Sequence, residues 1–207
     1  MKRIVTRALI VLVATLAVVS AQVAPGSATT SKKLISDLAA MWTTLLETPS
    51  AQNPFGTGGA AFACIDIGGR TVAPFAGGAE FSCTVKPGTK IFVAGFSWEC
   101  SSFPGDHPNS GTTEPELRQC ARDNDLQVAP IVNVDGNSVK VTPVETPELK
   151  IVMPEDPIFA VPAGTEGRSV AHGWVALLNP LTPGTHTIEI GGSSPANTTT
   201  IVVTPGP

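Results

Sequence analysis

The chain is expected to fold as a mostly β protein: an antiparallel β-sandwich, immunoglobulin-like or jelly-roll-like, with an N-terminal amphipathic helix and one short disulfide-pinned helix. Three observations predict this. From residue 62 onward short β-branched runs are punctuated by Gly and Pro, which number 20 and 19 in the chain, the texture of many short strands without intervening helices. Asp135-Gly136 sits between Ile131-Val132-Asn133-Val134 and Ser138-Val139-Lys140-Val141, a hairpin signal because a two-residue turn needs positive φ values that Gly and Asp tolerate. Four cysteines follow a segment that reads as an export signal, so two disulfides are expected to staple the sheets.

The export signal comes first. Lys2, Arg3 and Arg7 precede a largely apolar run of 12 residues, 8–19, and Val19-Ser20-Ala21 offers a small-residue cleavage site. A second such site ends at Ala28. The run is too short to span a bilayer. A secreted, extracellular or envelope-associated protein is expected, with no integral membrane segment once the signal, residues 1–21, is removed. Cleavage there leaves 186 residues, enough for a helix over 31–48 and a single β domain over 61–204. The removed segment takes 3 of the 13 basic side chains and none of the 17 acidic ones, leaving a net charge of −7. With no cluster of Lys and Arg, a nucleic-acid partner is disfavoured.

Residues 31–47 carry the one long helical pattern. Leu34, Leu38, Met41 and Leu45 recur at three- and four-residue steps, Ile35, Trp42 and Leu46 widen the stripe, and Thr48-Pro49 ends it. Lys32, Lys33, Asp37 and Glu47 fall off it. A helix packed on the protein's own sheet is favoured over one that docks on a partner. Strands are expected over 61–67, 81–85, 90–98, 131–134, 138–142, 149–153, 170–178, 185–190 and 199–203. A short helix interrupts them at 113–122, where Thr113 and Glu116 fit a capping box and Leu117 and Cys120 share a face.

Cys64, Cys83, Cys100 and Cys120 allow three connectivities. Pairing in chain order is preferred because each bridge then closes one local loop. A metal site is disfavoured, since no C-x-x-C pair occurs.

Several segments together carry a resemblance. They are Cys83-Thr84-Val85-Lys86-Pro87-Gly88-Thr89-Lys90-Ile91, then Glu99-Cys100-Ser101, the Glu-Leu-Arg-x-Cys run from Glu116 to Cys120, and Leu181 to Ile188 with its Leu-x-Pro-Gly-x-His-Thr-Ile pattern. From about Cys64 to Gly192 the chain resembles a group of small exported bacterial β-rich proteins. That resemblance implies a β-rich exported domain and no particular activity. The run after Cys64, Ile65-Asp66-Ile67-Gly68-Gly69, departs from the aromatic strand of that group. The closing segment is similar in architecture to the last hairpin of immunoglobulin-like sandwiches, which carries no chemistry with it.

Chemistry is sparse. If residues 179–184 form a hairpin loop with Leu178 near Thr185, His172 and His186 stand about 17 Å apart at roughly 3.4 Å per residue, too far to share a metal. His107 could join only one of them, so neither metal nor cofactor is expected. The same register gathers His172 and Trp174 opposite Glu189 on one sheet face, a candidate surface for stacking a sugar ring or anchoring a protein. Cover of Trp174 by the helix or a second sheet is the favoured competing reading, and a one-residue slip would exchange the faces.

Hydrolase signatures are incomplete. Gly95-Phe96-Ser97-Trp98-Glu99 lacks the closing Gly of a nucleophile elbow, and no H-E-x-x-H occurs. Gly56-Thr57-Gly58-Gly59 has no Lys to complete a phosphate loop. Asp123 and Asp125 flank Asn124 but fall short of a calcium loop, and a solvated helix end is favoured. Glu99, beside Trp98, is the most interesting acid. Asn197-Thr198-Thr199 matches a glycosylation acceptor but is read as a turn before the last strand. The expectation is a non-enzymatic, monomeric binding or surface-associated domain for an extracellular protein or glycan. The alternative is a secreted hydrolase whose acids, Glu99 or Asp106 among them, meet only in the fold.

Overall fold

The computed structural model describes residues 31–75, 80–105, 111–191 and 197–205. The expected export signal, residues 1–21, together with Asp106 and His107, lies outside the described residues. Over the described residues the protein is mostly β, with two sheets, two α-helices and two disulfides.

Helix α1 spans Ser31–Glu47, and its stripe of Leu34, Leu38, Met41 and Leu45 is buried as its spacing requires. Asn53 closes its C-terminal end, donating its side-chain amide to the carbonyls of Leu45 and Thr48, acceptors that a helix end otherwise leaves open. The first sheet contains β1 (Cys64–Asp66), β2 (Thr71–Pro74), β4 (Lys90–Ser101), β7 (Thr142–Glu145), β8 (Leu149–Val152) and β9 (Glu166–Leu178). Its order is β1-β2-β4-β9-β7, with β8 also paired to β9. The second, ordered β3-β11-β10-β5-β6, contains β3 (Phe81–Val85), β5 (Ile131–Val134), β6 (Asn137–Val139), β10 (Gly184–Gly191) and β11 (Asn197–Val203).

Layers follow from burial. On the α1 side of the first sheet, Phe92, Ala94, Ala171 and Val175 pack with the helix stripe. On its other side Ile91, Val93 and Ala176 meet Val132, Ile188 and Ile201 of the second sheet. β4 and β9 therefore lie between two apolar layers, which is why both read as nearly continuous apolar runs. A bulge interrupts their pairing between Ala94 and Phe96. Gly95 sits at it, where a Cβ would come within 2.9 Å of both Pro130 and Val132, so a side chain there would push the link before β5 away.

The pairing is mostly antiparallel, as the sequence pattern leads one to expect, although β2 runs parallel to β4 and β3 parallel to β11. The chain leaves the first sheet after β2, forms β3 in the second and returns as β4, so direction repeats. The ladder that would have placed Leu178 near Thr185 does not form: β9 pairs with β4, β7 and β8, whereas β10 pairs with β5 and β11. Residues 179–183 carry the chain from one sheet to the other. The apolar content of β9 is better satisfied between α1 and the second sheet than in a two-stranded ribbon exposed on one face.

The Asp135-Gly136 turn forms as expected, with φ of 51° and 74°. The run expected over 138–142 divides into β6 and β7, one in each sheet, and β2 is a strand beyond those expected. The 61–67 run begins with a 3-10 turn, Gly59–Phe62, before β1. Residues 197–199 open β11 rather than forming a turn. Both disulfides pair in chain order, Cys64 with Cys83 and Cys100 with Cys120. The first does more than close a local loop: it ties edge strand β1 of one sheet to edge strand β3 of the other.

Candidate functional site

Helix α2, Glu114–Asn124, is set by its own sequence. Thr113 and Glu116 form the reciprocal capping box, and Glu116 accepts from the amides of Thr112 and Thr113. Those bonds hold the Glu116 carboxyl below its ordinary pKa. Leu117, Cys120 and Ala121 bury against Cys100 of β4 and Val170 of β9, and the Cys100–Cys120 bridge locks that contact. α2 thus covers a stretch of the face whose other part the second sheet covers.

Along that face the pairing of β4, β9 and β7 sets up one row. Trp98 lies opposite His172, and Glu145 lies opposite His172 on its other side. The next row holds Phe96, Trp174 and Pro143. Asp125, the residue that ends α2, is buried with its side chain 1% exposed, and its carboxylate contacts Nδ1 of His172. The other carboxylate oxygen accepts the Leu126 amide at 2.7 Å. The His172 carbonyl accepts from the Ser97 hydroxyl at 2.8 Å, and that hydroxyl accepts the Trp42 indole N–H at 2.8 Å from α1. His172 is held from both layers, the kind of support that fixes a side chain's position.

Glu145 beside it is engaged by Arg118 and Arg122 of α2, with Arg118 also reaching Glu114 and the Thr146 carbonyl. Partial burial pushes the Glu145 carboxyl up, but the hydrogen bonds from Arg122 and Arg118 outweigh it and hold the group below its ordinary range. Both guanidinium groups are stabilised in return, Arg118 chiefly by Glu114 and Arg122 chiefly by Glu145.

Trp98 is 36% exposed and stacks on Phe96, with ring centroids 6.5 Å apart and planes 17° from parallel. Leu126, also exposed, borders the next row, because its carbonyl accepts the Trp174 indole N–H at 2.9 Å. The surface therefore combines a tryptophan ring, a second aromatic behind it and an oriented imidazole. Such a surface can stack a flat apolar face and offer one directional hydrogen bond.

Of the residues proposed from sequence, His172 and Trp174 lie on this face, while Glu189 belongs to the second sheet. Trp174 is half-buried and packs against the core between the sheets, as the competing reading had it. Asp125 is a buried partner of His172 rather than part of a solvated helix end, and Asp123 accepts from Gln119 at 2.6 Å. Glu99 is buried on the α1 side, where the Ser169 hydroxyl donates to it. It therefore lies across the sheet from His172. The sequence pattern gives Trp98 no role and reads Asp125 as solvated. Trp98 stood at the end of an expected strand without a register, and Asp125 is 47 residues from its partner.

Among the described residues no group of three or more His, Cys, Asp or Glu side chains is placed to hold a metal ion. No helix of the described residues is long and apolar enough to cross a membrane. Comparison of the chain with protein-family models, with curated proteins and with solved structures finds no match.

Proposed function

We propose that this chain is an exported, disulfide-stabilised binding domain, and that its contact surface is built from Trp98, Phe96 and His172. Two disulfides and no free cysteine among the described residues suit an oxidising compartment. The observation that carries the reading is the partly exposed Trp98, backed by Phe96 and opposite a histidine oriented by buried Asp125. A partly exposed tryptophan on a rigid sheet is the residue type that anchors protein partners and stacks on sugar rings. The ligand class is an extracellular protein or glycan.

The test is a glycan array together with pull-downs from envelope and culture fractions, comparing wild type with Trp98→Ala. Loss of a bound species with an unchanged circular dichroism spectrum supports the reading. Identical retention by both proteins removes Trp98 from it.

A second reading rests on a separate observation, the Asp125–His172 pair, which is the orienting half of a general-base arrangement. Among the described residues no serine, threonine or cysteine side chain bonds His172, so the base would act on water. Turnover of an ester, glycoside or peptide panel that His172→Ala abolishes would establish this hydrolase reading and displace the first.

A further inference from the structure

At the far end of β10 a second histidine is held differently. His186 lies opposite Ile201 of β11 and on the same side of its strand as the buried Ile188. Its Nδ1 is 2.7 Å from Oδ2 of Asp135 in the β5–β6 turn, and its Nε2 is 2.8 Å from the carbonyl oxygen of Thr182. Asp135 also grips the strand directly: its Oδ1 accepts the Thr187 amide at 2.9 Å, and its own amide donates to the Thr187 carbonyl at 2.9 Å. Thr182 belongs to the link 179–183, which carries the chain between the sheets.

Both partners of the ring are acceptors. A carboxylate and a backbone carbonyl have no proton to give, so two such contacts need an N–H on each ring nitrogen. Only the imidazolium has both. A neutral ring would turn a lone pair toward one of the two oxygens. We propose that His186 is a proton-controlled latch that ties the link between the sheets to the β5–β6 turn, closed when the ring is charged and open when it is neutral.

The surroundings isolate the switch. Asp135 is the charged group that the β5–β6 turn presents to the ring. β5, β6, β11 and the link 179–183 contain no other titratable side chain, and Glu189 on β10 itself alternates to the opposite face. The hydrogen bond to Asp135, then that to the Thr182 carbonyl, raises the His186 pKa above its ordinary value. Asp135 is lowered in turn, first by His186 and then by the Thr187 amide. Opening therefore belongs on the alkaline side of the ordinary histidine range.

The test uses the mature protein, with ring NMR of His186 and amide exchange at Asp135 and Thr187, corrected for the intrinsic pH dependence of exchange. His186 is expected to titrate above about pH 6.5, and protection at the two amides should fall about tenfold across that same titration. Asp135→Asn keeps a residue that tolerates the left-handed turn and an oxygen for the Thr187 amide, so it should lower the His186 pKa without unfolding the hairpin. His186→Gln, which does not titrate, should give protection that is flat with pH, and it serves alone if Asp135→Asn fails to fold. A His186 pKa at or below the ordinary value overturns the latch. So does wild-type protection that ignores the titration, or the same step in His186→Gln.

Discussion

The described residues contain two histidine–aspartate pairs, and they are built in opposite senses. In the first, Asp125 is 1% exposed and His172 21%; in the second, Asp135 is 44% exposed and His186 14%. Buried Asp125 orients a partly exposed imidazole, and the described residues make no hydrogen bond to the second nitrogen of His172. Exposed Asp135 shares His186 with the Thr182 carbonyl, so both nitrogens of that ring are occupied. The same residue pair thus leaves one ring with capacity for a ligand and commits the other to the fold. What separates them is the remaining hydrogen-bonding capacity of the ring.

The largest expected effect removes the support of the first pair altogether. Replacing Cys100 and Cys120 together by Ala should cost about 3 kcal/mol in denaturant unfolding, since the bridge closes a loop of separation 20 between β4 and α2. The His172 ring resonances should then lose the signature of their Asp125 contact, while those of His186 stay unchanged. Asp125→Ala comes next, at about 2 kcal/mol for loss of a buried charge-assisted hydrogen bond. If it proves as mild as an exposed substitution, the contrast between the pairs collapses. Trp42→Phe, which strips the indole N–H from Ser97, should cost about 1 kcal/mol and weaken ligand retention without moving the His186 titration.

The smallest effect is electrostatic, and its sign separates the groups. Because the folded His186 pKa is raised, its stabilisation is complete below the unfolded value of about 6.5 and is lost as pH rises through the folded value. Because the folded pKa values of Asp135 and Glu145 are lowered, theirs is present above the unfolded carboxyl values and is lost as pH falls through the folded ones. The second pair should therefore contribute most between about pH 4 and 6.5. Unfolding curves of wild type and His186→Gln should differ by less than about 1 kcal/mol within that window and converge above it. A gap that instead widens toward alkaline pH would reverse the sign.

Local signals in the chain were dependable. The Leu34-Leu38-Met41-Leu45 stripe, the Thr113/Glu116 box and Asp135-Gly136 each specify backbone geometry within a few residues, and each forms. The cysteine pairing was legible too, because bridges of separation 19 and 20 close short segments. The run from Lys90 to Trp98 also announced a strand, which extends to Ser101, yet its apolar residues are buried on both faces. A run apolar on both faces does not say which neighbours cover it.

Partner choice between strands was therefore the tertiary structure's to make. Residues 179–184 read equally well as a hairpin loop or as a link between sheets, since Pro and Gly serve both. The decision fell to burial: β9 has apolar side chains on both faces and is covered on both only when it leaves β10 for the centre of the other sheet. That choice separates Glu189 from His172 and sets Trp98 opposite the histidine instead. By itself the sequence determined the helices, the Asp135-Gly136 turn, most strands and the bridges, because these depend on interactions between near neighbours along the chain. The candidate surface joins Trp98, Asp125 and His172 from three elements, and only the packing of those elements brought them together.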